Sequence, residues 1–576
     1  MLLPLHELPK SAVIFIHVKK RLTDLRPVIV TLMSRHPCFH DMKFNSRRSP
    51  VYGTHGMVAS SQPLASMTGV EILKQGGNAA DAAVATAAAL NMTEPCSTGI
   101  GGDAFCLFFD AKTKEVKGLN ASGRAPSRLS LEYLADQGIT DKLPPTSPHT
   151  VTVPGAAAGW VDTIEHFGTM TMKEVLAPAI KLGEEGFPVS PITARSWKRG
   201  IPKLKNGPHY EEMLKDGEAP RAGEIMKNEN LARTFREVAE HGKAGFYEGR
   251  IAEEIVKVLT PMGGVMTVED LKNHYSTFPD PITTNYKGLD VYEIPPNGQG
   301  ITALIALNIL EEYDFTGIPH GSTKHLHTLI EAMRLAFADS RWYVADPDVT
   351  RVPVQELISK EYGDRRRTLI DPEKATIDVE RGSPVTGSDT VYFCVVDGMG
   401  NACSFIISNY AGFGTGIIPK GCGFTLQNRG YGFSLDPEHP NRLEPKKRPY
   451  HTIIPGMLLK DDELYAPFGV MGGFMQPQGH TQVVVNMVDY RMNPQEALDA
   501  GRFCILDGTS GGKVHIEDGI SVEVMSELTG MGHEVVPCSG WRRGYFGRGQ
   551  IIHRNSDTGV LTAGSDPRAD GCAIGW

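Results

Sequence analysis

The chain has 576 residues, 41% of them hydrophobic, with a formal net charge of -9 and a sequence pI near 6.1. That is ample apolar material for a large core, and an acidic balance without a dense basic stripe in the body of the chain excludes nucleic acid as a partner. No apolar run reaches the roughly 18–20 residues needed to cross a bilayer, and the nine scattered cysteines, never spaced C-x-x-C, argue for reduced thiols in the cytoplasm rather than a disulfide framework or a structural zinc site.

Residues 1–41 are basic and poor in acidic side chains, and a poorly structured extension is expected there. The composition is similar to that of a transit peptide. The apolar run Ala12–Val18 is followed by Lys19, Lys20 and Arg21, the wrong order for a secretory signal. From Gly56 the chain leads into a helix over Thr68–Gln75, stopped by Gly76 and Gly77, and then into an Ala-rich helix that begins at Asn78. The run Gly99–Ala104 fits G-x-G-x-x-A, but it follows a helix and opens a strand, the reverse of a dinucleotide loop. The sequons at Asn91 and Asn120 fall on a helix end and a strand, poor places for glycosylation.

Helices are expected around Glu174–Glu185, Asn230–His241 and His325–Tyr343. The last carries His325, His327, Glu331 and Asp339, and histidines two apart point to different faces, so a structural helix is expected there and no metal site. The charge-rich stretch from Glu361 through Lys374 to Pro384 reads as a solvated linker. A β-hairpin follows, V-Y-F-C-V-V and A-C-S-F-I-I around a turn at Asp397–Gly400, with Thr390 at its first position. Cleavage of the Asp389–Thr390 bond would give Thr390 a free α-amine of pKa about 7.7–8.0, a base within reach of its own hydroxyl.

These residues resemble the γ-glutamyltransferases (γ-glutamyltranspeptidases, glutathione hydrolases), a family of N-terminal-nucleophile hydrolases. The run from Thr390 through F-G-T-G is similar to the start of their small subunit, and G-G-N-A-A-D-A-A-V-A-T with its later G-I-G-G to their large-subunit signature. Further motifs in register extend the resemblance over roughly residues 56–576. It implies an α+β fold, the αββα four-layer sandwich, made as a proenzyme: a large-subunit portion 42–389 and a small-subunit portion 390–576 that form one domain after self-cleavage. It also implies a threonine nucleophile, Thr390, a second hydroxyl at Ser408, and backbone N–H groups of Gly472 and Gly473 that stabilise the oxyanion. No cofactor is implied.

The substrate-binding positions depart from the family pattern. Ser122 stands where the family has an arginine, with Arg124 two residues on; Tyr410 replaces an Asn, Arg429 and Gly432 replace a Gln and an Asp, and His451-Thr452 replaces a Ser pair. The acidic ligand for an α-ammonium is missing, while Arg124, Arg429 and His451 raise positive potential, which favours a carboxylate without an amine. The main expectation is an amide hydrolase or acyltransferase acting on γ-glutamyl compounds such as glutathione, with water or an amine as acceptor. The alternatives are a glutaryl-type hydrolase related to cephalosporin acylases, and a non-catalytic binding module of the same fold. A homo-oligomer stays open.

Overall fold

The computed structural model describes residues 48–376 and 389–576, the side chain of Asp389 apart. The expected N-terminal extension and the last part of the Glu361–Pro384 stretch lie outside the described residues.

Alternation along the hairpin explains the layering. Val391, Phe393 and Val395 join one apolar core with the Ala-rich helices, whereas Tyr392, Cys394 and Val396 join another that lies between two sheets. Both faces of this strand are therefore buried, as its near-continuous apolar run requires. The strands that matter for the site are β1 (Met57–Ser60), β2 (Asp103–Asp110), β3 (Glu115–Ala121), β4 (Asp389–Val396), β5 (Ala402–Tyr410), β6 (Gly456–Lys460), β7 (Glu463–Met471) and β8 (Cys572–Gly575). One sheet has the order β8-β1-β4-β5-β2-β3, all neighbours antiparallel. The β6–β7 hairpin lies within a second, seven-stranded sheet.

Helices cover both outer faces. On the first sheet lie α1 (Pro63–Lys74), α2 (Ala79–Thr93) and α3 (Ala156–Phe167). On the second lie α4 (Gly300–Leu310), α5 (Thr323–Tyr343), α6 (Lys360–Arg367) and α7 (Met475–Val488). The result is the expected αββα sandwich. All fifteen residues of α2 are buried, which its alanines permit by allowing close approach, and Asn78 and Asp81 close its N-terminus as a capping box. Helix α1 starts earlier than the Thr68 expected from periodicity, because Pro63 occupies the first turn, where its missing N–H costs nothing.

The charged stretch after Ser359 corrects the linker expectation. Ser359 caps α6 by accepting from Tyr362 N, Arg365–Arg367 sit in its last turn where the helix dipole favours cations, and Arg366 pairs with Asp339 at 2.9 Å. Arg366 thus faces α5, whereas Glu361, Asp364 and Arg365, and Asp371, Glu373 and Lys374 beyond α6, are exposed as expected.

Candidate active site

The site grows from the end of β5. Its ladder with β4 runs in register from Ala402 to Ile407, then shifts so that Tyr410 faces Asp389. A bulge of this kind re-aims side chains. Tyr410 takes a left-handed φ of 73°, and its N–H donates to Ser408 Oγ at 2.8 Å. Ser408 Oγ in turn lies 3.0 Å from Thr390 Oγ, with both residues buried. The alternation that sends Tyr392 between the sheets sends Thr390 the same way. A hydroxyl pair is thus fixed at the start of one strand by the distorted end of its neighbour.

Gly472 and Gly473 follow β7 and precede α7, with φ of 131° and 59°. Both lie in the region that glycine favours, and a Cβ on Gly472 would stand 3.2 Å from the Gly547 Cα. The Gln299 side-chain amide donates to Gly473 O at 2.9 Å and to Thr452 O at 2.6 Å, tying this turn to the segment that carries the expected binding residues His451 and Thr452.

On that side a charge is buried. Asp103 pairs with Ser408 in the β2–β5 ladder, and its carboxylate is fully engaged. Oδ1 accepts from Gly123 N (2.9 Å), Gly155 N (3.2 Å) and Gln427 Nε2 (3.0 Å), and Oδ2 from His451 Nε2 at 3.0 Å. Four donors compensate the lost hydration of the carboxylate. His451 is held neutral: burial first, then the Arg429 charge, pushes its pKa down to about 3. Its Nδ1 accepts from Ile453 N at 3.4 Å, which leaves the ring proton on Nε2.

Arg429 is fully buried, with its guanidinium 4.3 Å from the Tyr410 ring centre. Nη1 donates to Thr452 Oγ1 at 2.8 Å, while Nε and Nη2 have no hydrogen-bond partner among the described residues. Burial pushes its pKa down to about 10, against the opposing field of Asp103, so it stays charged at neutral pH. Of the expected binding residues, the fold therefore brings together Tyr410, Arg429, His451 and Thr452. Arg124 stands apart: it stacks on Tyr275 at 4.2 Å and reaches Asp348 at 3.5 Å, beside the buried Arg448.

Sequence reasoning misses Asp103, Gln299 and Gln427. A signal for Asp103 exists, since an acid opens a strand that is apolar from there to its closing Asp110, D-A-F-C-L-F-F-D; the two glutamines carry none. Helix α5 also groups its polar residues differently from the sequence expectation. His327 and Glu331, one turn apart, meet His533, with a candidate ligand atom from each all within 4.8 Å of one another. His327 Nδ1 and His533 Nε2 are 2.9 Å apart and Arg334 Nε stands 3.6 Å from Glu331, while Glu331 Oε1, Arg334 Nε and His533 Nδ1 have no hydrogen-bond partner among the described residues. Asn91 and Asn120, the two sequon residues, are both buried.

A four-layer sandwich with a buried threonine at the head of a central strand and a second hydroxyl beside it is the architecture of the N-terminal-nucleophile hydrolase class. The family model for gamma-glutamyltranspeptidase matches residues 65–576, and the chain belongs to that family. It is 37% identical to the glutathione hydrolase-like YwrD proenzyme of Bacillus subtilis, across 91% of this chain and 99% of that one. It is 32% identical to the glutathione hydrolase proenzyme of the same organism, across 91% and 92%. Among solved structures it resembles the cephalosporin acylase from Bacillus halodurans, with a TM-score of 0.87 and 44% identity over 94% of this chain and 99% of that one. No helix among the described residues is long and apolar enough to cross a membrane.

Proposed function

We propose that the chain is a self-processing threonine amide hydrolase and acyltransferase that acts on γ-glutamyl compounds such as glutathione. The 3.0 Å contact between Thr390 Oγ and Ser408 Oγ carries this reading. In processing, Thr390 Oγ attacks the Asp389 carbonyl carbon; the C–N bond breaks, an ester C–O bond forms, and the hydroxyl proton passes to the freed nitrogen. Water then hydrolyses the ester. The free α-amine takes the Oγ proton as Thr390 attacks a substrate amide, and returns a proton to the departing amine. The Gly472 and Gly473 N–H groups face the developing oxyanion. The acyl ester then passes to water or to an acceptor amine.

A second reading, a glutaryl-type amide hydrolase, is favoured by one observation. Arg429 offers two unpartnered nitrogens, Nε and Nη2, for an acyl carboxylate, while both oxygens of Asp103 are already engaged by protein donors. The intact masses of the protein and its Thr390→Ala variant test the first step: two fragments, the smaller beginning T-V-Y-F-C, are expected from the former and one chain from the latter. An uncut but folded wild type leaves only a binding module. Rates on γ-glutamyl and glutaryl p-nitroanilides then separate the two readings, and cleavage of glutaryl alone removes glutathione from the account.

A further inference from the structure

Both readings place a carboxylate on the acyl group, and any inference about how it is recognised rests on the amide-hydrolase reading they share. The residue that sets the pocket's recognition is not in direct contact with it. Asp103 lies on β2, opposite Ser408, and its four hydrogen bonds come from four separate segments: Gly123, Gly155, Gln427 and His451. The bond to His451 is the informative one. Phe105, two residues along the same strand face, packs on the His451 ring at 4.7 Å, and the Asn297–Gln299 loop holds the His451 backbone from both sides, donating at 3.0 Å and accepting at 2.8 Å. The next residue, Thr452, accepts from Arg429 Nη1.

We propose that Asp103, acting through His451 and Thr452, is the positioning residue that holds Arg429 as the reader of a carboxylate on the substrate's acyl group. Three observations support it. The guanidinium is fully buried, flat against Tyr410, and satisfied at one nitrogen only, which leaves an Nε/Nη2 edge of the planar fork that matches a carboxylate bidentately. Asp103 supplies compensating negative charge without bonding to Arg429, so the edge stays unpartnered. And Tyr410, the stacking partner, donates to Ser408, which touches Thr390, so the fork is two residues removed from the nucleophile pair.

The test compares glutaryl with pentanoyl p-nitroanilide, which differ by a carboxylate in place of a methyl. The processed wild type is expected to favour the glutaryl substrate through KM. Asp103→Asn and His451→Leu are expected to cut the glutaryl-to-pentanoyl ratio of kcat/KM by about ten- to a hundredfold, the size of a lost charged hydrogen bond. His451→Gln, which keeps a donor towards Asp103, is expected to hold most of the ratio. A processed Asp103→Asn enzyme with the wild-type ratio overturns the proposal, because a merely structural role lowers both rates together. If neither variant processes, inhibition of the wild type decides: glutarate must bind at least tenfold tighter than pentanoate, and equal binding overturns it. A processed wild type that cleaves neither anilide overturns the hydrolase reading instead, while calorimetric glutarate binding still tests the Arg429 edge.

Discussion

Two regions meet at the end of β5 and are built on opposite principles. The nucleophile side, Thr390, Ser408 and the Gly472–Gly473 turn, uses hydroxyls and backbone conformation, and no charged side chain has to be buried to form it. The acyl side, Asp103, His451 and Arg429, buries a carboxylate, an imidazole and a guanidinium within hydrogen-bond and stacking reach of one strand. The first needs geometry and chain cleavage; the second needs charge balance. This contrast explains why the two can vary independently: the same hydroxyl machinery can serve a pocket rebuilt around different charges.

Breaking the nucleophile side is expected to have the larger effects. Gly472→Ala forces a Cβ onto a φ of 131° and towards Gly547, so the turn has to move. Loss of one oxyanion donor corresponds to about 10²–10³ in kcat, and steady-state kinetics on the processed variant would show it with little change in KM. A variant as active as wild type would remove this turn from the mechanism. Ser408→Ala comes next. It deletes the partner of Thr390 Oγ and strands the buried Tyr410 N–H, a cost of about 1–3 kcal/mol. Fragment appearance followed by mass should slow by about ten- to a hundredfold.

The two sides also differ in how far the sequence reveals them. The hairpin of the nucleophile side is legible because it is local: a turn at Asp397–Gly400 with Thr390 at the head is one contiguous pattern, and β4 and β5 form where expected, while the roles of Thr390, Ser408, Gly472 and Gly473 are expected from the family resemblance. The four-layer architecture is legible through the family resemblance, and the near-continuous apolar run of β4 agrees with cover on both of its faces. The acyl side joins β2, the Asn297–Gln299 loop, the Arg429 turn and His451, segments up to 348 positions apart, and no spacing rule links them. Arg429, His451, Thr452 and Tyr410 stand out as departures from a family pattern, but their assembly around Asp103 does not. The α6 misreading has a related cause. A charge-rich stretch says solvent until a tertiary partner of one of its charges, here Asp339 on α5, is known.

A weaker effect separates the regions by titration. His451 is neutral in the folded protein down to about pH 3, whereas its ordinary value is 6.5. Between those values the unfolded chain binds one proton more than the folded chain at this residue, so stability from this group is present above pH 6.5 and lost as pH falls. The slope is about 1.4 kcal/mol per pH unit. Asp103 faces His451 from β2, Arg429 from its turn, and Arg448 is three residues before it in the chain; burial is the largest cause of the shift, the two cations add to it, and the carboxylate opposes it. In the uncut Thr390→Ala background, urea unfolding at a series of pH values should give a His451→Gln variant a slope shallower than its parent by that one proton. Adding Ser408→Ala instead should lower stability uniformly and leave the slope alone, because nothing on the hydroxyl side titrates there. Equal slopes for the His451→Gln variant and its parent would mean that the buried imidazole takes up its proton in the folded state, and the charge balance around Arg429 would then have to be drawn with one more cation.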